Sequence, residues 1–458
     1  LALKIDHATQ KGRPFLVPGG RFNELYAWDS YFIVLGLLQD GRRDLALSIV
    51  ENFVYEIEHY HAILNGNRSY YLSRSQPPMF TSIISEVLNV LPKEEHAQWL
   101  QIPLNAVIKE YFEVWCSPDR ITETGLARYF GLELKEPLEV EQGHFDPVYM
   151  REAKKEQVSF DEFRNGYRTG KIKSKVLDLY FVHDRAMRES GHDTTNRLVN
   201  LCAHYNTVDL NSLLYKYEVD ISRWIALYYE GAYTDSCGRK YSAKEWLDRA
   251  SQRKEKMIEL MWDPKRALFF DYNFHRKERS TFESVTTFYP LFAGIISQEE
   301  AKELIEKGLS LFESPGGLVS TTKASRGRVS EDRPQRQWDY PFGWAPHQIL
   351  FWKGASNYGF QKEVTRLAYR WLYLITKQAA DYNGLIAEKY DVLERTHKMN
   401  VEYGNEGADF RLYPDGGFGW VNASYQIGLT YLSAKEMEHL KALHPPECLF
   451  ENKEAEAD

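Results

Sequence analysis

Residues 210–228 read LNSLLYKYEVDISRWIALY, and this stretch decides the fold class. Its apolar side chains fall at Leu210, Leu213, Leu214, Tyr217, Ile221, Trp224, Ile225 and Tyr228. Steps of three and four place them all on one face of an α-helix. Asp209, just ahead of the stripe, is placed to serve as its N-cap. Ala46, Ile49, Val50, Phe53, Val54 and Ile57 repeat the pattern, as do Val364, Leu367, Ala368, Trp371, Leu372 and Ile375. Further helices are predicted over roughly 81–95, 102–115, 244–262, 298–312 and 422–434, and the best strand-like runs are 267–272 and 15–17. The chain therefore reads as all-α.

Composition narrows the function. Net charge is −8 and no basic stripe stands out, which argues against a nucleic-acid partner. The apolar run at 31–38 is too short to span a bilayer, so no membrane association is expected. Cys116, Cys202, Cys237 and Cys448 are scattered without metal-ligand spacing and read as reduced thiols of a cytoplasmic protein. Aromatic residues make up 14%, enough to supply both a core and platforms for sugar rings. The opening Leu-Ala-Leu-Lys reads as the interior of a longer gene product.

Between the helical stripes lie loops that mix carboxylates, arginines, amides and tryptophans with Gly and Pro. They are PGGRFNELYAWDSY at 18–31, NGNRSYYLSRSQPP at 65–78, RESGHD at 188–193 and QWDYPFGWAP at 337–346. A fifth runs from AEKYD at 387–391 through EYGN at 402–405 to GFGW at 417–420. Forked hydrogen-bonding groups beside aromatic faces suit a pocket that reads many hydroxyls. Two N-x-S/T sequons, at Asn67 inside the second segment and Asn422 just past the fifth, are read as chance matches rather than glycosylation sites.

Those loops carry a resemblance. PGGRFNELYAWDSYF and QWDYPFGWAP are similar to the two signatures of the trehalase glycoside hydrolases, and the likeness extends from Pro18 to Tyr425. The histidine in ESGHD and the run EYGNEGADF resemble the neutral, cytosolic branch found in fungi. The resemblance implies an (α/α)6 barrel, a toroid of six helical hairpins with the site at one end. It makes Asp193 the general acid and Glu388 the general base. The implied substrate contacts are Arg21, Trp28, Asp29, Asn65, Arg74, Ser75, Gln76, Arg188 and Gly191, with Glu402 as a further sugar ligand. Trp338, Asp339 and Trp344 are expected to wall the pocket, and Glu139 or Glu141 to add a sugar contact. The whole of 1–458 is expected to be one catalytic domain. A calcium-binding regulatory extension and the 14-3-3 adaptor it meets are implied to lie outside this chain.

The implied reaction splits α,α-trehalose with inversion. One carboxylic acid protonates the bridging oxygen while a carboxylate activates water on the opposite face, about 6.5–9.5 Å away. Asp193 must then hold a proton while Glu388 is ionised, which requires surroundings that push the two apart. Arg188 would oppose this if it pointed at Asp193, so it is expected to face the sugar. His192 reads as a structural or sugar-contacting histidine, and Lys389 and Asp391, flanking Glu388, as a local ion pair. Neither proton transfer calls for a metal or other cofactor. Two alternatives stay open: a catalytically silent trehalose sensor, and a six-hairpin glycosidase acting on another α-glucoside.

Overall fold

A computed structural model describes residues 1–131, 133, 136–137, 139–140, 143–331, 333–399, 401 and 417–450. Its helices, in chain order, are α1 (Ala27–Gln39), α2 (Arg43–Tyr60), α3 (Phe80–Val90), α4 (His96–Glu110), α5 (Asp146–Glu156), α6 (Phe160–Arg168) and α7 (Lys175–Glu189). Then come α8 (Val208–Tyr228), α9 (Ala243–Met261), α10 (Tyr289–Ala293), α11 (Gln298–Phe312), α12 (Lys323–Arg326) and α13 (Ala345–Asn357). The last are α14 (Gln361–Asp381), α15 (Gly419–Leu429), α16 (Ala434–Lys441) and α17 (Glu447–Phe450).

The stripes form where their periodicity places them. On α2 the face from Ala46 to Ile57 is buried, as is the face of α14 from Val364 to Ile375. On α8 the face is buried from Leu210 to Ile225, and only Tyr228 at its end is partly open. The helix over 298–312 has the bounds its sequence predicts, because Ser297 and Glu300 close a reciprocal capping box at its start. Helix α3 ends at Val90, ahead of the expected 95, with Pro92 following. Asp209 is not the N-cap of α8: Thr207 takes that position, and Asp209 sits in the first turn, where its carboxylate binds Arg197 and Tyr129.

The expected strands fare differently. The 267–272 run breaks into two short pieces, Leu268–Phe269 paired with Trp262–Asp263, and Tyr272–Asn273 paired with Tyr205–Asn206 and Glu278–Arg279. Residues 15–17 form no strand. Pro14 and Pro18 bracket this triplet, and proline has no N–H to give a strand ladder.

The architecture is a ring. Helix α1 packs on α3, α3 on α8, α8 on α10, α10 on α13, α13 on α15, and α15 returns to α1. Outer helices α2, α4, α9, α11, α14 and α16 each follow one inner helix in sequence, making six inner–outer hairpins and an (α/α)6 barrel. Residues between α4 and α8 form an excursion from this ring. Its helices α5, α6 and α7 bury a small core of their own around Phe145, Tyr149, Phe163 and Phe181. No helix among the described residues is long and apolar enough to cross a membrane.

Candidate active site

Four inner helices start at the same end of the ring, and the polar loops collect there. Trp28 and Asp29 occupy the first turn of α1, Gln76 precedes α3, Trp344 caps α13 and Phe418 caps α15. The positive dipole ends of these helices favour oxygen-rich ligands. Between these starts lies a cavity of about 520 Å³. That is ample for a small polar ligand, since binding clefts run to roughly 300–1,000 Å³.

Its wall gathers Arg21, Trp28, Asp29, Asn65, Arg74, Gln76, Arg188, Gly191, Asp193, Trp338, Trp344 and Glu388, residues spread over the whole chain. Two expected wall residues do not reach it. Ser75 is buried against protein: its N–H donates to Glu189 and its hydroxyl to the Ile63 carbonyl. Asp339 instead accepts from the Thr195 hydroxyl at 2.7 Å and the Asn196 amide at 2.6 Å, pinning the segment that follows Asp193. Glu402 and Glu141 lie outside the described residues. Glu139 does line the cavity, in a buried ion pair with Arg74. Asn422 is exposed and lines a different, largely apolar cavity between α1, α14 and α15, away from the acids.

Several further wall residues carry no individual signal in the sequence. Gln337, Phe418 and Trp420 fall within loops singled out for their composition, as do Tyr70 and Tyr71. Nothing in the spacing distinguishes them from their neighbours.

Asp193 follows α7 through a tight turn at Gly191, whose φ is +72°. A Cβ at Gly191 would lie 2.8 Å from the Trp28 ring, so the loop needs glycine both for its backbone and for this approach. The turn folds Asp193 back towards the helix it left, and Arg188 Nη1 ends 3.4 Å from Asp193 Oδ2. This corrects the expectation that Arg188 faces only the ligand. It lines the cavity and also binds both Asp184, at 2.8 Å, and Asp193. Burial raises the Asp193 carboxyl to about 6, while Arg188 and then Arg74 pull the other way. Asp29 is pushed further, to about 8, by burial reinforced by the charges of Glu388 and Asp193.

Glu388 has different company. Lys389 donates from Nζ to its Oε2 at 2.8 Å, and that lysine side chain is fully buried. Asp391 is not part of this pair; it accepts the backbone N–H groups of Leu393 and Glu394.

Tryptophans join the two acids. Gln337 donates its side-chain amide to the Asp193 carbonyl, and Trp338 donates its backbone N–H to the Thr194 carbonyl at 3.1 Å. Trp338 and Trp344 stack at 3.8 Å, and Trp344 donates its indole N–H to the Gln337 carbonyl at 2.8 Å. Trp420 donates its own to the Glu388 carbonyl at 3.1 Å. Behind this wall His192 packs on Trp28 and Trp338, and its Nε2 lies 3.1 Å from His347 Nε2. Burial lowers both imidazoles, His192 to about 4, so His192 is a neutral structural group here. Among the described residues no cluster of His, Cys, Asp and Glu is arranged to hold a metal ion.

Comparison with known proteins gives this site a lineage. The chain is 48% identical to the cytosolic neutral trehalase of Saccharomyces cerevisiae over 96% of its own length and 60% of that protein's. It is 47% identical to the cytosolic neutral trehalase of Kluyveromyces lactis, over 96% of this chain and 59% of that one. It thus spans about 60% of the length of these curated relatives. A solved neutral trehalase from Saccharomyces cerevisiae superposes with a TM-score of 0.87 at 45% identity, covering 97% of this chain and 79% of that one. The fold alone is shared with a GH63 mannosylglycerate hydrolase from Thermus thermophilus, with a TM-score of 0.58 at 16% identity and coverage of 91% and 96%. A family model described as trehalase matches residues 2–433, and with these relatives it shows that the chain belongs to the trehalase family.

Proposed function

We propose that this chain hydrolyses α,α-trehalose to two glucose molecules with inversion, Asp193 donating the proton and Glu388 activating the water. One observation carries the reading: two carboxyls on one cavity wall are held differently, Asp193 at 3.4 Å from a guanidinium shared with Asp184, and Glu388 at 2.8 Å from a buried ammonium. Asp193 is raised to about 6 by burial, which suits a group that arrives protonated. Glu388 is paired with a buried ammonium, which suits a group that must stay ionised. Arg21, Asn65, Arg74, Gln76 and Arg188 supply hydrogen-bonding groups for sugar hydroxyls, and Trp28 and Trp338 offer ring faces. Glu402 is carried as a further sugar ligand on sequence resemblance. Two well-placed carboxyl groups supply both proton transfers, so the chemistry needs no cofactor.

The same reading makes the chain a single catalytic domain working in the cytoplasm, as the names of its relatives suggest for them. A calcium-binding regulatory extension and a 14-3-3 adaptor that meets it are carried in this proposal on sequence resemblance alone.

Glucose release from trehalose, with the anomers followed by proton NMR, tests the reaction. One α- and one β-glucose are expected at first release. Asp193→Asn and Glu388→Gln are each expected to cut turnover by about 10²–10⁴-fold while the far-ultraviolet circular dichroism is retained. Full turnover in both variants overturns the assignment. Faster cleavage of maltose than of trehalose moves the substrate to another α-glucoside, and binding without glucose release makes the pocket a sensor.

A further inference from the structure

Lys389 never reaches the cavity, yet it sits behind the group that needs it most. Its side chain is 0% exposed, its Nζ is 2.8 Å from Glu388 Oε2, and the same ammonium lies 4.9 Å from the centre of the Trp344 ring. Trp344 is itself held by its indole bond to Gln337 and its stacking on Trp338, so the lysine rests against a fixed surface.

We propose that Lys389 is a positioning residue that decides which of the carboxyls sharing this cavity is ionised, and which Glu388 oxygen meets the water. This inference rests on the two-carboxylate reading above. Asp29 and Asp193 open on the same cavity as Glu388, and burial raises both. Burial favours the protonated form of a carboxyl, and burial alone does not select which of several gives its proton up. The cations do select. Arg188 is divided between Asp184 and Asp193, and Arg74 is paired with Glu139. Arg21 and Glu24, from the 18–31 loop, also line the cavity, and Arg68 holds Glu24. Lys389 contacts Glu388. It occupies Oε2 and leaves Oε1 as the oxygen that takes a proton from water.

The buried ammonium is costly to place without its partner, and its fixed seat gives the carboxylate one orientation. An arginine at this position keeps the charge but not the compact shape. Charge and shape can therefore be separated by mutation.

The test is the pH profile of kcat/KM for trehalose in the full chain, measured for the parent, Lys389→Met and Lys389→Arg. Loss of the ammonium removes the cation beside the water-activating carboxylate. The acid limb of Lys389→Met is therefore expected to move up by about one pH unit or more. Its deficit should exceed about tenfold on the acid side and shrink as pH rises. Lys389→Arg should keep the parental acid limb even where its turnover falls. If Met prevents folding, judged by the melting curve, Lys389→Gln carries the same expectation, because it retains a hydrogen bond without the charge. An unmoved acid limb in the neutral variant overturns the proposal, and so does an equal displacement in the arginine variant. If Glu388→Gln is fully active, the two-carboxylate reading has failed. If it is inactive and the limb stays put, only the role of Lys389 has.

Discussion

Asp193 has to meet its substrate carrying a proton, and two influences contend for that proton. Burial raises the carboxyl from its ordinary 3.8 to about 6, and the guanidinium of Arg188 at 3.4 Å opposes the rise. The protonated fraction of a group at about 6 falls as pH rises through that value. The alkaline limb of kcat/KM, which reports the free enzyme, is therefore expected near pH 6. Removing an influence that lowers the value must raise it. Arg188→Met should thus carry the alkaline limb to higher pH, alongside a higher KM from the lost cavity contact. Stopped assays across the pH range read both effects, and a limb that moves to lower pH would reverse the sign of this argument.

At the scale of elements, the loop after α7 and the loop before α13 are a single device. Gln337 and Trp338 grip the backbone at Asp193 and Thr194, while Asp339 grips Thr195 and Asn196. Gly191 lets the first loop pass under Trp28. Gly191→Ala forces a left-handed backbone on a residue with a Cβ and drives that Cβ into an indole ring. A stability loss of about 1–3 kcal/mol is expected. The fall in kcat should be larger than that loss implies, because Asp193 shifts relative to Glu388. Parallel melting and steady-state measurements check this, and a variant with parental kcat would show that the loop tolerates the shift.

The helices were legible because the stripes on α2, α8 and α14 repeat an apolar face that only an α-helix buries. The loops were legible as a site from their mixture of residue types, but individual roles were not. Asp339 and Ser75 belong to the right loops and face away from the cavity, because hydrogen bonds across the fold turn them inward. Trp420 faces the cavity because α15 begins there, which no local spacing reveals. The N-cap of α8 was misplaced for a related reason. Arg197 and Tyr129 draw Asp209 into a tertiary contact that overrides its local capping preference.

The whole molecule depends on a seam between its two ends. Helix α15 closes the ring against α1 across nearly four hundred residues of sequence, counting from Ala27 to Gly419. Gly36 lies in that seam. A Cβ there would meet Gln426 Oε1 at 2.6 Å, Ala423 Cβ at 3.1 Å and the Ala423 Cα at 3.3 Å. The glutamine can swing away, but the helix backbone of α15 cannot. Gly36→Val adds branched bulk where the two helices touch and should cost about 1–3 kcal/mol by overpacking. Asp29 lies about 10 Å away along α1, at 1.5 Å per residue, so the chemistry is expected to survive. A lowered melting temperature with trehalose turnover within about twofold of the parent at low temperature is the expected pair of results. Adding Ala423→Gly removes the nearest opposing carbon, and the double variant should regain part of the loss, as neighbouring sites couple. If Gly36→Val melts with the parent, the seam has room that this packing denies it. If the double variant is no more stable than the single one, the cost arises within α1 and not from closing the ring.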